Sequence, residues 1–305
     1  MNTRIELSKY AGRAGGLPLR LGGEGRVRGR FVERAGVRAD FLLGFVALLL
    51  LLGTVAAPGA DKKPVFLYTR YFNAEGEERY SPDTTYKDIL DRLRAHNIDV
   101  RVDAKPLTAQ SLTGVNVILI ANPSDKAVEG HPPPHHFDSK DIDVIARFVQ
   151  RGGGLIIMGN QENHNLEVED TNKLLARFGL QFASRMTDAK KLVLPTTTPI
   201  IGGLRWAYYT GNQIVIDSKH PAKPRSLVTN DLSQKPVNGN RDEPGSLLAI
   251  AEPGRGRVVV VTDAGWIANF ALSERGVPGV AIKGQDNAEI FDRLVAWAAH
   301  IEPKR

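Results

Sequence analysis

Residues 152–164 read GGGLIIMGNQENH. Leu155 to Met158 form a short apolar run bounded by glycine, which reads as a strand. A strand that is apolar on both faces belongs in a parallel sheet covered on both sides. The run ends in a tight polar turn, Gly159-Asn160-Gln161-Glu162. In many α/β hydrolytic domains that turn carries the nucleophile. Here it holds no Ser, Thr or Cys, so the turn needs another role.

The flanks repeat the pattern. VFLYT (65–69), IDVRV (98–102), VNVILIA (115–121) and RVVVVT (257–262) read as further strands. TTYKDILDRLRAH (84–96) spaces Tyr86, Ile89, Leu90 and Leu93 as one helical face, with Thr84 or Thr85 as cap. Asp138 opens a second helix with Ile142, Ile145, Phe148 and Val149 on one side, and VEDTNKLLARFG (168–179) is a third. A last helix over 286–300 turns Ile290, Leu294, Trp297 and Ala298 inward. Strand and helix alternate, which predicts an α/β fold: a flavodoxin-like, doubly wound, mostly parallel sheet with helices on both faces. Residues 183–250 break the alternation with short runs (KLVLP, QIVID, SLLAIAE) and many turn residues, and read as a β-rich elaboration.

In an open parallel sheet, ligands sit beyond the carboxyl ends of the strands. Those ends carry Asn73, Asn122, Asn160, Glu162, His164, Asp263, Trp266 and Asn269. Amides, acids, a histidine and an aromatic ring suit a polyhydroxylated or amide-rich ligand. The same residue types also populate strand-to-helix turns for backbone reasons. Glu162 and Asp263 are the carboxylates available for general acid–base work, and Asp263 is equally placed to cap the helix after it. HPPPHH (131–136) sets three histidines in a proline-stiffened loop, where His131 and His135, with His164, are the metal-ligand candidates. Their spacing matches no helix-borne ligand pair, so the expectation is no metal and no cofactor. In RWAYY (205–209), Trp206, Tyr208 and Tyr209 read as core or edge packing rather than a sugar platform.

VILIANPSD, FVQRGGGLIIMGN and NKLLARFGLQF, with YFN at 71–73, GRGRVVVVTDAGWIANF and QDNAEIFDRLVAWAA, resemble exported domains of the class I glutamine amidotransferase-like superfamily. They are most similar to the domain of unknown function 4350 type, related to domains that accompany unsaturated glucuronyl hydrolases. The resemblance covers roughly residues 65–300, most of the mature chain. It implies a flavodoxin-like sheet and a carbohydrate-associated setting. True class I amidotransferases place a Cys after the strand corresponding to GLIIMG. This chain has no cysteine at all, so amidase chemistry of that type is excluded by residue type.

The chain has 305 residues and a formal charge of +6. Residues 1–57 hold nine Lys/Arg against four acids, and the remainder holds 31 against 30. A nearly neutral body argues against nucleic acid as partner. FLLGFVALLLLL (41–52), with Arg34 and Arg38 before it and GTVAAPGA after it, describes a secretory signal peptide or, over 41–57, a membrane anchor. Residues 1–40 are rich in Gly and Arg and read as disordered or as a start called too far upstream. The expected location is periplasmic or extracellular, with membrane contact through the N-terminal segment only.

Three functions fit these observations. The first is a non-catalytic exported domain that binds a small-molecule or saccharide ligand, or a partner, at the strand ends. The second is a saccharide-active hydrolase or lyase using Glu162 and Asp263 or a metal. The third is a cell-envelope assembly or transport component.

Overall fold

A computed structural model describes residues 62–161, 164–188, 190–230, 245–272 and 285–301. They belong to a compact unit, Ala60–Arg305. The N-terminal segments named above lie outside the described residues, as does Glu162.

The strands are β1 (Val65–Thr69), β2 (Asp99–Asp103), β3 (Val117–Ala121), β4 (Gly154–Met158), β5 (Leu180–Thr187), β6 (Lys190–Val193), β7 (Arg205–Tyr208), β8 (Gly211–Ile216), β9 (Arg225–Thr229), β10 (Ser246–Ala251) and β11 (Arg257–Val261). The helices are α1 (Lys87–Ala95), α2 (Ser139–Gln150), α3 (Glu169–Ala176), α4 (Asn269–Leu272) and α5 (Asn287–Ala298), with a 3₁₀ turn at Gly265–Ile267 before α4.

The main sheet runs β2-β1-β3-β4-β11-β10-β8-β5, with β9 also on β10. Strands β2, β1, β3, β4 and β11 are mutually parallel. Their order is that of a doubly wound sheet, with the change of winding direction between β1 and β3. From β11 onward the sheet turns antiparallel through β10, β8 and β5, which is the elaboration expected in the middle of the chain. β6 and β7 pair separately as a hairpin.

The all-apolar strands follow from burial on both faces. Phe66, Tyr68, Val117, Leu119, Ile156, Met158, Val259 and Val261 point to one core with Ile89, Leu90 and Leu93 of α1 and Ile290, Leu294 and Val295 of α5. The alternate residues Leu67, Ile118, Ile120, Leu155, Ile157, Val258 and Val260 point to the other, with Ile142, Ile145 and Val149 of α2 and Leu174 and Leu175 of α3. The described members of both cores come from Val65–Ala298, so this unit carries its own interior.

Helix ends show where side chains compete for the same turn. Asp138 caps α2 in a reciprocal box with Asp141, as its position suggests. α1 starts later than expected and has no side-chain cap. Thr85 instead donates its hydroxyl to the Glu78 carbonyl at 3.2 Å, and the Tyr86 ring is drawn into the core, where its hydroxyl reaches the Ala264 carbonyl. In α5, Trp297 is only half-buried and lies under the Arg257 guanidinium, 5.0 Å from its ring centre, while Phe291 fills the interior.

Candidate functional site

The turn after β4 is a junction. The Asn160 backbone N–H donates to the Asn122 side-chain oxygen at 2.9 Å. Its amide nitrogen donates to the Tyr80 hydroxyl at 2.7 Å, and its amide oxygen accepts the Ala264 N–H at 2.7 Å. Asn160, through its backbone N–H and its side chain, thus ties the ends of β3, β4 and β11 to the loop before α1. Asn160, in the turn after β4, is spent on holding the loops that surround it.

The other strand-end asparagines are used in the same way. Asn73 donates to the carbonyls of Ala121 and Asn122 at 2.8 and 3.0 Å. Asn122 adopts φ +47°, a left-handed conformation that Asn tolerates. Its amide reaches the His164 and Asn165 carbonyls at 3.2 and 3.4 Å. Asn269 donates to the Thr84 carbonyl at 2.8 Å and accepts the Asp88 N–H at 3.1 Å, joining α4 to the start of α1. Trp266 is fully buried, and its indole N–H meets the Met158 sulfur at 3.3 Å.

Asp263 is also buried completely. It accepts the Tyr209 N–H at 2.6 Å on one oxygen and the Gly265 N–H at 2.7 Å on the other, whereas the N-cap of the 3₁₀ turn is Ala264, which has no side-chain cap. Burial pushes its carboxyl up from the ordinary 3.8 to about 7, against the pull of the backbone donors.

Of the seven strand-end candidates among the described residues, three, Asn160, His164 and Asp263, share a cavity of about 190 Å³. Arg79, Tyr80, Thr85, Tyr209, Thr210 and Phe270 also line it, and none of these was legible as a site residue. Tyr209 and Phe270 meet edge to face, with ring centres 5.2 Å apart, and Phe270 is 38% exposed. The Arg79 guanidinium is held by Glu77 at 2.8 Å. Burial, and then the Arg79 charge, lower the pKa of His164, whose Nδ1 lies 2.7 Å from the Gln161 amide oxygen. Trp206 and Tyr208 lie in the core as expected of RWAYY, but Tyr209 faces the cavity.

The candidate metal ligands do not gather. His131 sits beside Glu75 at 3.6 Å, and His135 stacks on Tyr71 at 4.3 Å between ring centres. His164 lies at the cavity. Among the described residues, the His/Asp/Glu group with ligand atoms within 4.8 Å of one another is His136, Glu167 and Asp170. Both Glu167 oxygens there accept backbone N–H groups at the start of α3, and Asp170 is paired with Lys173.

No family model matches the sequence. The chain is 25% identical over 112 residues to the intraflagellar transport protein 52 homolog of Mus musculus, a match covering 37% of this chain and 24% of that protein. In structure it is similar to the mmIFT52 N-terminal domain, with a TM-score of 0.57 and 14% identity over 79% of this chain and 99% of that one. A cytoplasmic protein of Salmonella typhimurium LT2 aligns with a TM-score of 0.47 and 15% identity, over 77% of this chain and 99% of that chain. The likeness to the mmIFT52 domain shows a shared α/β fold. Among the described residues no helix is long and apolar enough to cross a membrane.

Proposed function

We propose that this chain is a non-catalytic, exported binding domain whose strand-end cavity takes one small group, the size of a single sugar ring, from a ligand or a partner. One observation carries the reading. The groups that could act chemically there, Asn160 and Asp263, are committed to backbone and loop contacts, whereas Tyr209 and Phe270 offer aromatic surface beside Arg79 and His164. An aromatic wall with a cation and an imidazole at its rim suits an acidic or hydroxylated ring better than it suits hydrolysis. The dispersal of His131, His135 and His164 removes support from a metal-dependent enzyme. The reading includes membership of the Cys-less glutamine amidotransferase-like group, supported by the doubly wound strand order and by Asn160 in the turn after β4, where such domains carry their nucleophile.

The test is a thermal-shift screen of the Ala60–Arg305 unit against uronic acids, oligosaccharides and divalent metals. A ligand at 100 times its dissociation constant stabilises by about 2.7 kcal/mol. A shift with a sugar acid that disappears in Phe270→Ala is the expected result. A shift with metal alone, lost in His164→Ala, would replace the proposal with the enzyme reading.

An envelope assembly or transport role is the second reading. The local likeness to an intraflagellar transport protein and the exposed Phe270 at the cavity mouth support it. Silence across the ligand panel, with a cross-link from position 270 to an envelope protein, would favour it.

A further inference from the structure

The end of the sheet opposite the cavity has its own chemistry. Two grooves of about 410 and 830 Å³ adjoin there and share Thr113 and Asn116. Lys62, Lys63, Arg94, Arg101, Arg147 and Arg151 line them, against a single acid, Asp99. All six cations are exposed. Arg94, Arg101 and Arg147 are joined to Asp91, Asp99 and Asp143. Lys62, Lys63 and Arg151 have no ion-pair partner among the described residues. The chain beyond residue 57 is nearly neutral, so this concentration of positive charge is local.

The grooves are too wide to enclose one small anion, and they form a broad face at the starts of β1, β2 and β4. Lys62 and Lys63, on this face, lie just ahead of Pro64 and β1. Ala57, the end of the apolar run 41–57, stands five residues before Lys62. Exposed cations on such a face are attracted to an anionic bilayer surface, over a range set by the Debye length.

We propose that this face docks on an anionic bilayer surface, with Lys62, Lys63 and Arg151 contacting phosphate-bearing headgroups. The domain then stands with its strand-end cavity turned away from the lipid. The export reading supplies only the source of the bilayer. The surface itself can be tested without the anchor, and without any ligand in the cavity.

The experiment is flotation of the Ala60–Arg305 unit with vesicles of phosphatidylcholine alone, or with phosphatidylglycerol mixed in at about one part in three. The expected result is association with the anionic vesicles only, weakened by high salt. The variant Lys62→Glu/Lys63→Glu/Arg151→Glu should lose about tenfold or more in association. Lys87→Glu/Lys126→Glu/Lys140→Glu carries the same charge change at the other end of the strands and should stay close to wild type. Absence of binding, equal binding to neutral vesicles, equal loss in both variants, or tighter binding to duplex DNA than to the anionic vesicles would each overturn the proposal. Melting curves of both variants confirm that these exposed substitutions leave the fold intact.

Discussion

The Asn122 side-chain oxygen accepts the Asn160 backbone N–H at 2.9 Å, clamping the ends of β3 and β4 together at the turn that follows β4. Asn160 continues the clamp to Tyr80 and Ala264. Replacing Asn160 by Ala leaves the buried Ala264 N–H and the Tyr80 hydroxyl without these partners. The expected cost is about 2–4 kcal/mol, from buried polar groups left unpaired. Urea denaturation measures it, and a loss below about 0.5 kcal/mol would show that the junction is not structural.

Asp263 makes stability fall as pH rises. Its folded carboxyl titrates near 7, above the ordinary 3.8, so between those values the native state binds more protons than the unfolded chain. The contribution is fully present below about pH 4 and lost as pH rises through about 7, with a size on the order of 4 kcal/mol. Asp263→Asn removes the titration. Melting temperature plotted from pH 4.5 to 7.5 should lose that downward component in the variant, and parallel curves for the two proteins would refute the assignment.

Gly211 begins β8 against the end of β11. A Cβ there would lie 1.5 Å from the Thr262 carbonyl oxygen, which is backbone and cannot turn aside. Gly211→Ala should therefore cost about 3 kcal/mol or more through displaced backbone. Gly114→Ala is the comparison, because a Cβ there meets nothing within 4 Å and its φ of +76° leaves only the milder left-handed penalty. Equal losses for the two variants would contradict the crowding argument.

Phe270 separates binding from stability. It is 38% exposed at the cavity mouth, so Phe270→Ala should lower stability by under about 1 kcal/mol while removing the aromatic wall. Trp266→Ala should cost about 3–5 kcal/mol, because that ring is fully enclosed beside Trp206 and Phe291. Chemical denaturation of the two variants, beside ligand-induced melting shifts, distinguishes a wall from a core residue.

The fold was legible because burial on both faces leaves a strand no choice of composition. VFLYT, VILIA, GLIIM and RVVVV each became a strand of the parallel sheet. The site was legible only in location. Asn73, Asn122 and Asn160 stand at the correct strand ends, yet Asn serves a turn and a ligand with the same amide, and sequence cannot say which it does. The cavity walls at Arg79, Tyr209 and Phe270 come from loops far apart in the chain. No local pattern joins them, and Tyr209 stands just past the end of β7, beyond Trp206 and Tyr208. Asn287 was missed for the same reason. It bonds the Ala207 N–H and the Ala207 and Trp266 carbonyls, fixing α5 to the hairpin, but reads as an ordinary residue at a helix start.

β11 is the last of the described strands to be made, yet it lies between β4 and β10. Until Arg257–Val261 has left the ribosome, the parallel half of the sheet ends at a bare β4 and the antiparallel half at a bare β10. Both exposed edges are lined by residues meant for the interior. A chain cut before that strand is therefore not a smaller version of the domain. It is two halves, each offering a sticky edge to any neighbouring chain. The cell receives either the whole domain or a substrate for its proteases.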